Sequence, residues 1–490
     1  MNKIILFLFV LTQLMGITAY ANTIGTVGYL TFSDDGNGIT VTGCDTLASG
    51  SLIIPSTIIG KPVTSIGDSA FINCTGLTSV NIPSTITAIG SNAFNGCNKL
   101  TSVNIPSSVT TISDGTFGFS GLTSVSIPNS VTTIGVSAFA GCKNLSSVTI
   151  PSGVTTIKDQ TFYDCQGLTS ISIPNSVTSI GTAAFARTGL TSVNIPTTIT
   201  AIGSNAFNGC NKLTSVTIPS SVTTIEEGTF GFSGLTSVSI PNSVTNIGVS
   251  AFAGCKDLTS VNIPSGVTTI GGSAFYGCSN LISVNIPNVN RIWTNTFYGC
   301  VGLTSISIPS SVTIIDSKAF YQCSSLTSVD IPSSVTSIWD SVFTHCSRLT
   351  SAYFLGNAPY NFGSDVFTDT APTFTIYYLR TSTGFTSPTW RGYHSNIVDP
   401  FYSPFYDPTT ADLDDGWKWN TLFNYIYTGC HPFVYFYESN HWLYIVGSSE
   451  SAGYYYFSFN TGQWYWTSLL YYDGRWYYDF ETNAWQTYRK

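Results

Sequence analysis

Charge is what this 490-residue chain has least of: 9% of its residues are Asp, Glu, Lys or Arg. A soluble domain ordinarily carries roughly a quarter. Seventeen Lys and Arg against twenty-five Asp and Glu leave a formal charge of −8. Phosphate backbones are bound by clustered cations, so a nucleic-acid partner is excluded from the expectation. Histidine is equally scarce, with four in the chain: His345, His394, His431 and His441. No His-x-x-His, Glu-x-x-His, Gly-x-Ser-x-Gly or Gly-rich phosphate loop appears, so the stock of groups for catalysis or metal binding is poor. Cys430 and His431 are neighbours in sequence, which does not make a catalytic dyad. No enzyme activity, cofactor or metal is expected.

A long apolar run is also missing beyond the first residues. Residues 1–21 read as a secretory signal peptide: Lys3 supplies the charge, Ile4 to Leu14 the apolar stretch, and Ala19-Tyr20-Ala21 the small-x-small cleavage site. Nothing later approaches the ~20 apolar residues of a spanning helix. The expectation is a secreted or cell-surface protein with no membrane span after cleavage. What is abundant is apolar and hydroxylic. Hydrophobic residues make up 43% and aromatics 14%, which excludes a disordered chain.

A repeat organises the rest. Pro recurs at 55, 83, 106, 128, 151, 174, 196, 219, 241, 264, 287, 309 and 332, spaced 22 or 23 residues apart after the first gap. A period of that length signals a solenoid. One copy runs Leu100-Thr-Ser-Val103-Asn-Ile105-Pro106, then Val109-Thr-Thr-Ile112, then Phe117. Period-2 alternation turns Val103 and Ile105 inward from a short strand, and Pro106, lacking an N–H, ends it. The Ala-Phe-x-x-Cys segment, Ala93 to Cys97 in the copy before, returns the chain across the far side. One rung cannot bury its apolar face alone, so stability comes from stacking.

Ten of the twelve Cys (74, 97, 142, 165, 210, 255, 278, 300, 323 and 346) occupy one position of the repeat. One Cys per rung reads as a small buried apolar filler, a ladder of free thiols rather than a disulfide framework. Cys44 and Cys430 lie outside the array, and their pairing stays open. Rungs without the Cys have one residue fewer between Phe and Leu, as from Phe117 to Leu122. A larger period is also present. Residues 81–157 match 194–270 at an offset of 113 with eight differences, all at polar positions.

The unit Leu-x-x-Val-x-Ile-Pro-x-x-Val-x-x-Ile-Gly-x-x-Ala-Phe-x-x-Cys resembles the BspA-type bacterial leucine-rich repeat over about residues 52–352. The resemblance implies exported bacterial proteins, several of them adhesins, and carries over no catalytic residue. The fold expected is a right-handed leucine-rich-repeat solenoid of about thirteen 22–23-residue rungs at 51–352. A capping hairpin at 22–50 and a C-terminal cap at 353–398 would cover its ends.

A Pro-rich linker at 399–416 leads into 417–490, which holds seven of the ten Trp and reads as a small all-β aromatic domain. Trp442, Trp464, Trp466 and Trp476 are its candidate contacts, able to stack on sugar rings or quaternary ammonium groups. The bland alternative is that a small domain uses large rings as core. In the repeats, the residues flanking the inward Val form the candidate binding face: Ser102, Asn104, Ser124, Ser126, Ser147, Thr149, Ser170, Ser172, Ser192, Asn194, Ser215 and Thr217.

Residues 61–355 hold ten basic and ten acidic side chains, so attraction to this array would not be electrostatic. The reading is a non-enzymatic surface or secreted protein that binds or adheres through its solenoid, with the aromatic domain as attachment module. The partner would be an extracellular protein or glycan, or the cell envelope. The alternative is a polysaccharide-binding protein that uses the aromatic domain. The Thr that follows Val or Ile in most rungs also admits ice or ordered-water binding.

Overall fold

The computed structural model describes residues 23–398, Asp35 excepted, and the backbone strands within 417–490. The chain separates into two units, residues 1–378 with 382–396 and residues 379–381 with 397–490. All described regular structure is β, coiled into about sixteen turns of ~23 residues.

Two parallel ladders run along the array. In one, Ser192–Asn194 pairs with Ser215–Thr217 so that Ser meets Ser, Val193 meets Val216 and Asn194 meets Thr217. In the other, the Thr-Ile dipeptides pair, Thr224 with Asn246 and Ile225 with Ile247. Identical register in each pair puts every inward side chain beside its counterpart in the next rung, as the period-2 pattern requires.

The return segment forms a third ladder in place of a helix. Asn92, Phe94 and Gly96 donate their N–H groups to the carbonyls of Asp114, Thr116 and Gly118, each across 2.8 Å. Such pairing needs left-handed residues on both sides of the core Phe, and Asn92 (φ 54°) and Gly96 (φ 76°) supply them. Asn, Ser, Gly and Asp dominate these positions because they tolerate that conformation.

Between the ladders sits the core. Fourteen phenylalanines, from Phe71 to Phe367, stack in an unbroken column, with centroids 4.8–5.7 Å apart and planes within 14°. Thirteen of them are fully buried and Phe367 is nearly so, and each contributes roughly 1.5–3 kcal/mol of burial. The column runs past the thirteen Pro-marked copies. Phe367 lies in the segment expected to be a cap, yet it stacks on Phe343. Ser351–Phe354 and Thr375–Leu379 likewise continue a parallel ladder. At the other end, β1 (Thr23–Val27), β2 (Leu30–Asp34) and β3 (Ile39–Cys44) form an antiparallel meander whose last strand pairs in parallel with Lys61–Ile66.

The repeat thiols are buried and free, as one Cys per rung predicts, and they also bond between rungs. Cys44 is free too, but the repeat cysteines are more than filler. From Cys97 onward, each donates its S–H to the carbonyl of the core Phe in the rung before, Cys97 to Phe71 and Cys165 to Phe139 across 3.1 Å. Rungs without Cys keep the slot and place Ser120, Thr188 or Ser233 in it, each hydroxyl 3.2–3.3 Å from the thiol of the next rung. Cys430 lies outside the described residues, whereas Cys44 stands beside Cys74, whose thiol is 3.8 Å from the Cys44 carbonyl.

Hydroxyls stitch the surface as well. Thr101 donates to the carbonyl of Thr78, Thr178 to that of Thr155 and Ser130 to that of Val109, each one rung back. Part of the Ser- and Thr-rich composition therefore serves as an inter-rung hydrogen-bond system.

In 417–490 six strands, Trp417–Lys418 to Gln463–Thr467, pair antiparallel in sequence order, and Trp476–Asp479 pairs with Ala484–Thr487.

Candidate functional site

Two surfaces carry the residues that sequence singled out, and the structure adds a third. On the first, the strand face, Ser102 and Asn104 flank buried Val103, and the same exposed-buried-exposed pattern holds at Ser192, Asn194, Ser215 and Thr217. Ser124, Ser126, Ser147, Thr149, Ser170 and Ser172 are exposed as well. Ladder register brings them into two rows, Asn104 beside Ser126, Thr149 beside Ser172 and Ser172 beside Asn194. These small hydroxyls and amides present donors and acceptors with little apolar area between them. Trp, Tyr and Arg, the usual anchors of protein interfaces, are missing from these twelve positions.

At its C-terminal end this face changes character. Asp330 pairs in register with Tyr353, and Tyr353 with Tyr377, the two rings stacked at 5.0 Å. Loss of solvent pushes the Asp330 carboxyl up to about 6.

The Thr row proposed for ordered water is tied down. Thr87, Thr178, Thr200, Thr245 and Thr268 each donate to the backbone carbonyl of the previous rung.

On the second, the tail, Trp442 stands opposite Tyr435, Trp464 opposite Phe457, Trp466 opposite Tyr455 and Trp476 opposite Thr487 in antiparallel pairs. Their side chains lie outside the described residues, as do the signal sequence at 1–21 and the linker at 399–416.

The third surface was missed by the sequence reading. On the turn face, one of the two positions after the core Phe carries an aromatic in several rungs. Phe119 and Phe232 are each 58% exposed. Tyr276, Tyr298 and Tyr321 stack outside the core at 4.8 Å, with His345 edge-on to Tyr321 and 2.9 Å from Asp369. Arg291 lies over Trp293 at 4.2 Å. The signal was available: these are the positions that vary from rung to rung while the Phe before them does not.

Among the described residues no group of three His, Cys, Asp or Glu is placed to hold a metal, and no helix is long and apolar enough to cross a membrane.

The family model of the BspA type leucine rich repeat region matches residues 49–169, 155–282 and 269–385, six copies in all. The chain belongs to this family. Among solved structures, similar ones include a leucine-rich repeat protein from Bacteroides ovatus, 31% identical, with a TM-score of 0.69 over 76% of this chain and 99% of that one. A leucine rich cell surface protein from Faecalibacterium prausnitzii is 33% identical, with a TM-score of 0.51 over 68% of this chain and 94% of its own. No curated protein matches the chain.

Proposed function

We propose that this BspA-type protein is exported and acts, without catalysis, as a binding or adhesion protein at the cell surface. The solenoid presents the contacts and the aromatic C-terminal segment attaches. The observation that carries this reading is the strand face, where exposed Ser, Thr and Asn repeat in register from rung to rung. Each contact is weak, and strength comes from repetition along the array. The cell-surface description of the Faecalibacterium relative supports the location.

Fractionation of bacterial cells that express the full chain or a chain lacking residues 400–490 tests the division of labour. The mature protein should begin at Asn22 and stay with the cells, and the truncated protein should pass into the medium. A truncated protein that remains cell-associated removes the attachment role from the tail. A full chain retained inside the cell removes the whole reading.

A further inference from the structure

We propose that the turn face carries two equivalent saccharide-binding notches, one in each copy of the duplicated five-rung block. The inference rests on the reading of the protein as a surface binder and names one ligand class and its site.

In the second copy a notch of about 360 Å³ is lined by Asn205, Asn208, Glu227, Phe232, Ala253 and Tyr276, among others. That volume falls within the range of small-ligand sites. Its origin is legible in the position after each core Phe, which reads Asn208, Gly231, Ala253, Tyr276 over four rungs. Two rungs with almost no side chain open a gap between an amide and a phenol.

The walls are held in place. Asn208 donates from Nδ2 to the carbonyl of Gly228 at 3.2 Å, and its Oδ1 has no hydrogen-bond partner among the described residues. The Phe232 backbone is left-handed at φ 55°, and its ring lies across Gly254, where a Cβ would stand 2.5 Å from it. The third ladder needs a left-handed residue at this position in every rung; Phe119 and Phe232 fill it with an apolar ring left 58% exposed, where other rungs place Gly, Asn, Asp, Arg, Gln or His.

The first copy repeats the walls. Asn95 donates to the carbonyl of Gly115 at 3.4 Å. Phe119 is left-handed at φ 54°, and its ring lies across Gly141 at 2.4 Å from a Cβ there. Asn92, Asp114, Ala140 and Tyr163 take the places of Asn205, Glu227, Ala253 and Tyr276. The two linings differ at two positions: Asp114 for Glu227, which keeps the carboxylate, and Gln160 for Ser273, which like Tyr163 and Tyr276 lies just past the matched block.

The chemistry selects a neutral polyol. Amides accept from and donate to hydroxyls, and the one carboxylate per notch accepts from them. No cation is among the residues that line the second notch, Arg187 lies over Tyr163 at 5.9 Å in the first, and the Phe ring offers a face for the C–H side of a pyranose. Glu227, which makes no ion pair among the described residues, disfavours anions, and a single carboxylate offers little to a basic peptide. The two notches are five rungs apart, on the order of 25 Å at a strand spacing of about 4.8 Å. A ligand that repeats along its own length, a polysaccharide, can fill both and gain avidity.

Affinity gel electrophoresis of the full chain in gels containing mannan, laminarin, pullulan or arabinogalactan tests this. At least one polymer should retard the protein. F119A and F232A should each weaken that retardation about tenfold, and the double variant about 100-fold. The melting temperature should move by no more than about 2 °C, since both rings are exposed. The isosteric pair D114N and E227Q, which leaves the rings in place, should weaken binding in the same way and serves if the Phe variants fold poorly.

Four gels with no retardation overturn the inference. So does retardation equal in parent and both double variants, which moves the site to the tail or the strand face. A loss caused by F119A alone, with F232A unchanged, overturns the equivalence of the notches. Cell association of the double variant separates this failure from that of the surface-binding reading, because a protein that stays on cells without polysaccharide retardation keeps the latter and loses the former.

Discussion

Cys300 donates its thiol hydrogen to the carbonyl oxygen of Phe275, in the rung before it, across 3.2 Å. The same carbonyl already accepts the N–H of Cys278 from its own rung. A group that looks like a filler thus ties each rung to its neighbour, and burial pushes its own ionisation up to about 12.

The thiol ladder should therefore be inert in the native state and replaceable by a hydroxyl. C300S keeps a donor in the slot that Ser120 and Ser233 already occupy elsewhere, so it should cost less than about 1 kcal/mol. C300A loses both the bond and some volume and should cost about 1–2 kcal/mol. Urea unfolding of the two variants measures the difference. Labelling of native protein at pH 8 should reach few of the repeat thiols before unfolding.

The core column should dominate stability. Phe207 stacks on Phe185 at 5.4 Å and on Phe230 at 5.7 Å and is fully buried. F207A should cost roughly 3–5 kcal/mol. Ser215 is exposed, and S215A should stay within about 0.5 kcal/mol. Equal shifts in the melting transition would contradict the inward and outward assignment.

Asp330 should make the array less stable above pH 6 than an uncharged residue would. Its carboxyl is raised from the ordinary 3.8 to about 6 by lost solvent. The folded state therefore favours the protonated form. That advantage is full below pH 3.8 and is lost as pH rises through 6. D330N removes the charge without changing shape, so it should stabilise by about 1–2 kcal/mol at pH 7.5 and by almost nothing at pH 3.5. Thermal melts of parent and variant at the two pH values give the comparison, and an equal effect at both would show a solvated carboxylate.

Arg291 should be needed because of Asp316. Its Nε and its terminal nitrogen each reach an Asp316 oxygen at 2.8 Å, and the Asp316 side chain is 6% exposed. R291M strands that carboxylate and should cost about 3 kcal/mol, with R291K recovering little because one ammonium does not make the paired bonds. Adding D316A to R291M should restore part of the loss, a coupling that a double-mutant cycle in urea reads directly.

Sequence alone determined the rung. The 22–23-residue spacing of Pro, the alternation around Val103 and Ile105 and the invariant Phe suffice for it. Each rung repeats the same inward set, and only identical rungs in register can bury it. The exposed rows at Ser102 and Asn104 followed from the same alternation.

Sequence did not determine what identical neighbours do to each other. That Cys300 reaches Phe275, that Thr178 bonds back to Thr155, or that Phe367 prolongs the column past the last repeat Pro are relations between residues some 23 positions apart. A one-rung pattern contains no such term. The notch is the clearest case. Gly231 and Ala253 look like tolerated variation in a turn until stacking sets them between Asn208 and Tyr276. There, the absence of two side chains becomes a space.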